Sequence, residues 1–238
     1  MGRGMCKNLV EKGDLSKPLI IFNRTAKRAQ DLSAKLPSGT SRISTDMVKA
    51  VTESDIIFTC VGADQDILEV LDIISRGCSM VKKLFVDCST VHPDTTTKVA
   101  KIIDGHGAAF VACPGNTLIL SMVEALSEGH VVAEKSGLGV ENLQKFVDAL
   151  FGGPYSAYSK RLSSGDYYKR EEPLFAVDLA RKDAGHALKI ARDAGAQMKA
   201  VEVADAHLAQ VKEHAGEKGD IAGIYGAVRK ESGLNYEN

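Results

Sequence analysis

The pattern that most limits what this chain can become is a change of texture near residue 114. Before it, short apolar runs alternate with helical stretches. The runs are Leu19-Ile20-Ile21-Phe22, Asp55-Ile56-Ile57-Phe58-Thr59-Cys60-Val61, Leu84-Phe85-Val86-Asp87-Cys88 and Ala108-Ala109-Phe110-Val111-Ala112-Cys113. Near-continuous apolar strands separated by helices predict a parallel sheet covered on both faces. After residue 114 the periodicity is helical. The stretch from Asn116 to Lys135 has no breaker until Gly129, and further helices are expected over 141–150, 174–194 and 201–214. Clusters at Gly152-Gly153-Pro154 and between Gly216 and Gly219 separate them. The expected architecture is α/β. An incomplete Rossmann-type parallel sheet domain occupies 1–114, and an all-α domain occupies 115–238.

Composition narrows the function. The formal net charge of the 238 residues is -1 with 26% charged residues, so nothing draws the chain to nucleic acid or anionic lipid. No apolar run approaches the roughly 20 residues of a membrane-spanning helix, and the N-terminal residues lack a signal-peptide core. Cys6, Cys60, Cys78, Cys88 and Cys113 are scattered, without CxxC spacing or a His cluster. They read as free thiols in a reducing cytoplasm, with no metal site expected.

Two segments carry nucleotide chemistry. Gly2-Arg3-Gly4-Met5 opens a helix over 6–11 that Gly13 closes, and the strand from Leu19 to Phe22 ends in Asn23-Arg24-Thr25. A dinucleotide fold places its ribose reader about 20 residues beyond the glycine turn, which is where Asn23 falls. An acidic residue there would favour NAD. Asn23 with Arg24 offers hydrogen-bond donors suited to the 2′-phosphate of NADP. The competing reading is a turn that caps a helix over 26–36. Met1 stands where the middle of a full glycine loop belongs, so the first strand and two glycines of the motif are absent. The second segment is Asp87-Cys88-Ser89-Thr90-Val91-His92-Pro93, a strand-to-helix turn in which Ser89 or Thr90 could cap or line the helix over 93–103. Its backbone N–H groups suit an anion such as a substrate carboxylate; an ordinary capped turn is the alternative.

The ordered set of motifs resembles the β-hydroxyacid dehydrogenases. It runs from glycine-Met at the turn through Asn-Arg-Thr, Cys-Val-Gly and Asp-Cys-Ser-Thr-x-x-Pro to a helical Asn-x-x-x-x-x-x-Glu-Ala-Leu. It continues in Phe175-x-x-x-Leu179-x-x-Lys182-Asp183 and ends in Gly219-Asp220-Ile221-Ala222. These enzymes include 3-hydroxyisobutyrate and tartronate semialdehyde dehydrogenases, with 6-phosphogluconate dehydrogenase more distant. The resemblance implies an NAD(P)-dependent oxidoreductase that interconverts a small 3-hydroxy acid and its semialdehyde. NADP is the expected cofactor and NAD the alternative. Carried over position by position, Gly2 resembles the last glycine of the pyrophosphate turn. Asn23, Arg24 and Thr25 resemble the adenosine-phosphate readers. Val61, Gly62 and Asp66 resemble the loop at the nicotinamide ribose, and Ser89 and Thr90 the loop that contacts substrate and nicotinamide. Asn116 resembles the Asn that orients substrate. Lys182 resembles the helical lysine that closes over the cofactor, with Asp183 beside it.

Two departures bear on activity. The family carries a glycine-rich stretch before the Asn, with its acid–base lysine one helical turn ahead of that Asn. Here Cys113-Pro114 runs directly into Gly115-Asn116, and Ala112 stands four residues ahead. The catalytic lysine is therefore expected to be missing, as if a segment were deleted. A non-catalytic NADP(H)-binding or oligomerisation module is the rival reading. The second departure is the absent first strand. It leaves the strands at 19–22 and 55–61 to pair directly, to flank a gap that a partner chain fills, or to expose their edges at the cost of solubility. The helical half is expected to form a homodimer or homotetramer, because Leu118, Ile119, Met122, Val123, Leu126, Val131 and Val132 are too many for one narrow stripe. A central helix buried within one subunit is the alternative.

Overall fold

The computed structural model describes residues 2–112 and 116–238, and the chain divides into two compact units, residues 1–114 and 115–238. The free-thiol expectation for Cys113, and the join through Pro114 and Gly115, lie outside the described residues.

The first unit runs α1 (Gly2–Lys12), β1 (Leu19–Phe22), α2 (Ala26–Ser33), β2 (Ser41–Ser44), α3 (Met47–Thr52), β3 (Ile56–Thr59), α4 (Asp64–Gly77), β4 (Leu84–Asp87), α5 (Pro93–Gly105) and β5 (Ala109–Ala112). Every strand pairing is parallel. The strands form two sheets, β1-β2 and β3-β4-β5. Among the described residues no strand stands between β1 and β3, and the two do not pair. The helix expected over 6–11 begins earlier, with Gly2 already in its first turn.

The three-stranded sheet corrects one expectation. Phe85 points to the face where Ile67, Leu71 and Ile74 of α4 and Val99 and Ile103 of α5 form a buried core. The opposite face leaves Ile56, Phe58 and Val111 exposed, so this sheet is not covered on both sides. The cause is the strand order. Both crossovers step the same way, from β3 to β4 to β5, and right-handed crossovers in one direction put their helices on one face. A smaller core joins Ile21 of β1 to Ala29 of α2 and Leu36, with Cys6 and Val10 of α1 packed against it.

The second unit is α6 (Asn116–Lys135), α7 (Val140–Leu150), α8 (Gly153–Ser163), α9 (Asp166–Lys169), α10 (Val177–Asp193), α11 (Lys199–Ala215) and α12 (Ile224–Glu231), with two 3₁₀ turns between α11 and α12. Helix α6 is central and packs on α7, α8, α10, α11 and α12. Leu120, Met122, Val123, Leu126 and Val131 are buried by these neighbours, while Leu118 and Val132 stay exposed. The apolar excess of α6 is thus largely used inside one subunit. It does not itself call for a second chain.

A line of polar groups runs down the same helix. Glu124, Ser127 and His130 are buried at spacings of three, and Glu134 follows one turn on. Glu124 meets His207 of α11, with Oε1 2.9 Å from Nδ1. His130 Nε2 lies 2.7 Å from Ser159 Oγ of α8. Glu134 pairs with Arg229 of α12, which also touches the Tyr225 hydroxyl. Burial drives the His130 imidazole down to about 4, so it is neutral; Ser159 meets its Nε2, and the buried Nδ1 has no hydrogen-bond partner among the described residues.

Candidate functional site

Loops at the ends of β1, β3 and β4 converge in the first unit. Asn23 Oδ1 accepts a hydrogen bond from Thr25 N at 2.9 Å, a local turn that fixes the loop after β1. Thr25 occupies the N-cap of α2 without a side-chain cap bond. The turn throws Arg24 outward. Its side chain is 90% exposed, and its Nη1 is 3.9 Å from Asp66 Oδ1. A pair that long and that wet binds weakly, which leaves the guanidinium able to meet an anion. Asp66 also accepts from Ala63 N at 3.1 Å and so secures the first turn of α4. A side chain placed on Gly2 would meet Cys60 Cβ at 3.9 Å, so the start of α1 lies beside the end of β3.

Asp87 organises the loops after β3 and β4. Register pairs Thr59 with Asp87, and the same side of both strands faces the core. Asp87 is buried, and its Oδ1 accepts from Thr59 Oγ1 at 2.8 Å, Ser89 Oγ at 2.7 Å and Ser89 N at 3.1 Å. Ser89 Oγ in turn accepts from Val61 N at 2.9 Å. Asp64 Oδ1 accepts from His92 N at 2.7 Å, a second strut between the same loops. Charge-assisted bonds of this kind are the stronger ones. Ser89 and Thr90 do not cap α5: His92 does, accepting from Asp94 N through Nδ1 at 3.2 Å, with Pro93 in the first turn.

Contacts in the first unit pair Arg24 with Asp66 and Val61 with Ser89, and Gly2 lies beside Cys60, the residue before Val61. Asn23 and Thr25 flank Arg24, Gly62 follows Val61, and Thr90 follows Ser89. Asn116 and Lys182 belong to the second unit, where one carboxylate joins them. Asp183 is buried; its Oδ2 accepts from Asn116 Nδ2 at 2.8 Å, and its Oδ1 lies 3.2 Å from Lys182 Nζ. Sequence reasoning missed Asp64 and Asp87 as organisers. The available signal was an acidic residue at the end of an apolar strand and another at the start of a helix.

The donor set fits a nicotinamide dinucleotide. It has an exposed guanidinium, a glycine where α1 begins, and loops pinned at the carboxyl ends of parallel strands, where such ligands bind. Among the described residues no group of three or more His, Cys, Asp and Glu side chains is placed to hold a metal ion. Cys6, Cys60, Cys78 and Cys88 are free thiols. Among the described residues no helix is long and apolar enough to cross a membrane.

Known proteins give the same picture. Residues 1–115 match the NAD binding domain of 6-phosphogluconate dehydrogenase, and residues 105–228 match the NAD-binding region of NADP-dependent 3-hydroxyisobutyrate dehydrogenase. The NADH-dependent oxidoreductase ucdB of Aspergillus ustus is 32% identical over 284 aligned positions, covering 99% of this chain and 98% of that protein. That alignment is longer than the 238 residues here, so dozens of its positions have no residue in this chain. Among solved structures, 3-hydroxyisobutyrate dehydrogenase of Mycobacterium tuberculosis with L-serine superposes with a TM-score of 0.65 at 17% identity, covering 96% of both chains. Psf3 in complex with NADP+ and 2-OPP superposes with a TM-score of 0.69 at 14% identity, covering 94% of this chain and 95% of that one. A Rossmann-type first unit, a helical second unit and these two family matches together make the chain a member of the β-hydroxyacid dehydrogenase family.

Proposed function

We propose that the chain is an NADP-dependent dehydrogenase of the 3-hydroxyisobutyrate dehydrogenase type, acting between a small 3-hydroxy acid and its semialdehyde. The observation that carries this reading is the set of contacts at the ends of parallel strands: Arg24 with Asp66, Val61 with Ser89, and Gly2 beside Cys60. When bound, the nicotinamide supplies a hydride to the carbonyl carbon. In this reading Arg24, with Asn23 and Thr25, holds the 2′-phosphate, and the bare Gly2 lets the pyrophosphate approach. Val61, Gly62 and Asp66 border the nicotinamide ribose, and Ser89 and Thr90 the substrate and the nicotinamide. Asn116 orients substrate, and Lys182 closes over the cofactor. L-serine, the molecule bound to the Mycobacterium tuberculosis relative, is itself a small 3-hydroxy acid and supports the substrate class.

Ala112, at the end of β5, stands where the acid–base lysine is expected and has no proton to give. Together with the positions that the fungal relative has and this chain lacks, it favours a second reading, a non-catalytic NADP(H)-binding or oligomerisation module. The experiment is a fluorescence titration with NADPH, then an assay with methylmalonate semialdehyde, succinate semialdehyde and glyoxylate. NADPH consumption with any of them is the expected result. Binding without turnover supports the NADP(H)-binding form of the second reading, and no binding overturns the dehydrogenase and leaves a fragment that acts as an oligomerisation module.

The cofactor preference is tested separately, because the fungal relative is named as NADH-dependent. Arg24→Ala should weaken NADPH about tenfold, on the order of 1.4 kcal/mol, and leave NADH unchanged. An NADPH to NADH ratio that does not move would hand the site to NAD.

The helical unit is also the proposed seat of a homodimer or homotetramer. Exposed Phe146 and Leu150 on α7, Phe151 at its C-cap and Tyr155 on α8 support this, with Phe151 and Tyr155 rings stacked at 5.2 Å. A reducing cytoplasm suits the unbridged thiols.

A further inference from the structure

We propose that Lys182 is the proton donor of the reaction, held in place by Asp183 beside Asn116. The inference rests on the dehydrogenase reading above. It follows from asking which titratable groups of the helical unit stand by the substrate-orienting Asn116. Glu124 and His207 are buried and engaged with each other. His130 is fully buried against Ser159. The Asn116 amide is instead bonded to Asp183, and the other oxygen of that carboxylate faces the Lys182 ammonium.

The arrangement is specific. Lys182 and Asp183 are neighbours on α10, so their Cβ atoms diverge by about 100° around the helix. The lysine side chain nevertheless turns its ammonium back to 3.2 Å from the carboxylate of its neighbour. Asp183 is 2% exposed, and a carboxylate at that depth needs compensation. Asn116 supplies a hydrogen bond to Oδ2, and Lys182 supplies its charge 3.2 Å from Oδ1, which has no hydrogen-bond partner among the described residues. The result fixes an amide donor and an ammonium at a single carboxylate. The Lys182 side chain remains 22% exposed, so the ammonium is not sealed from a ligand.

An N–H bond of the Lys182 ammonium breaks, and its proton goes to the carbonyl oxygen of the semialdehyde. The C=O double bond becomes C–O–H as the carbon receives the hydride. The carbonyl is reduced by two electrons at the expense of the reduced nicotinamide, and the neutral amine regains its proton from solvent. Asp183 is a positioning residue in this scheme.

The test uses the full chain with Lys182→Met and Lys182→Arg. A guanidinium keeps the positive charge but does not release a proton in proteins. If Lys182 only contacts the cofactor, Lys182→Arg retains activity. If it donates the proton, both variants lose kcat by about 10²–10⁴-fold, and Lys182→Arg, which keeps the positive charge over the cofactor, holds NADPH affinity within about threefold of wild type. A second readout needs no turnover. Acetylation of Lys182 by acetic anhydride, followed by mass spectrometry, should slow about tenfold with saturating 3-hydroxyisobutyrate and NADP+. Lys189 on the same helix, paired to Asp193 and half exposed, serves as the unprotected reference. A wild-type chain that turns over while Lys182→Arg matches it overturns the inference alone. Equal acetylation of Lys182 with and without the hydroxy acid does the same. A wild-type chain without turnover overturns the dehydrogenase reading and this inference with it.

Discussion

Asp220→Ala is expected to cost the helical unit about 3–5 kcal/mol of stability, the range for removing one partner from a buried, hydrogen-bonded ion pair. Asp220 is 2% exposed and gathers four donors. Its Oδ1 receives Arg161 Nη2 at 2.7 Å and Ala222 N at 2.9 Å, and its Oδ2 receives Leu174 N at 2.7 Å and Phe175 N at 3.1 Å. Those backbone groups belong to the approach to α10 and to the 3₁₀ turn before α12. One carboxylate therefore holds together segments far apart in the chain. Its loss also leaves Arg161, whose side chain is 14% exposed, with Asp166 as its one acidic partner among the described residues. Urea unfolding followed by circular dichroism gives the number. A loss below about 1 kcal/mol would show that water or relaxation replaces the carboxylate and that Asp220 is not the hub described.

The second large effect is a fall in stability at alkaline pH. The hydrogen bond that His207 donates to Glu124, assisted by the one it donates to Glu231 and opposed by burial, raises the His207 imidazole from 6.5 to about 9. Its Nδ1 bonds Glu124 Oε2 at 3.0 Å and its Nε2 is 3.1 Å from Glu231 Oε2. A raised folded value means that the native state holds the proton more tightly than the unfolded chain. The stabilisation is complete below about pH 6.5 and is lost as pH rises through about 9. The shift corresponds to roughly 2–3 kcal/mol once solvent screening of the half-exposed Glu231 is discounted. For a unit of this size that is a drop in Tm on the order of 10 °C. Glu124→Gln should flatten the slope between those limits. A variant whose Tm falls as steeply as the wild type would assign the pH dependence elsewhere.

Much of the first unit was legible because a buried parallel strand is apolar along its whole length. The run from Leu19 to Phe22 became β1 without change, and the other three apolar runs contain β3, β4 and β5. Strand β2, Ser-Arg-Ile-Ser, was not legible, since its polar side chains look like a loop and only pairing with β1 makes it a strand. In the helical unit α8 opens on Gly153-Pro154, which read as a separator, and α12 lies beyond the last expected helix and contains Gly226. Gly226 is a packing residue: a Cβ there would stand 2.5 Å from the Tyr236 ring. Tertiary contact decided these elements, and local propensity did not. The site divides the same way. Asn23-Arg24-Thr25 and Asp87 to Thr90 stood out as ordered motifs. The struts between loops did not, because whether Asp87 faces the core depends on strand register, and Asp183 meets Asn116 across 67 residues of chain.

The polar line along α6 has a consequence for how the bundle finds its arrangement. An all-apolar helix face accepts neighbouring alignments at similar energy, since one leucine fills a gap much as another does. Each pairing on α6 is of a different chemical kind: carboxylate with imidazole, neutral imidazole with hydroxyl, carboxylate with guanidinium. Sliding α6 by one turn, about 5.4 Å, would set all three against the wrong groups and strand a buried carboxylate without its counter-charge. The three contacts work as a combination lock, in which only one alignment satisfies every tumbler. Helices α8, α11 and α12 are each matched to their own turn of α6, so the order of the bundle is written into chemistry as well as into shape.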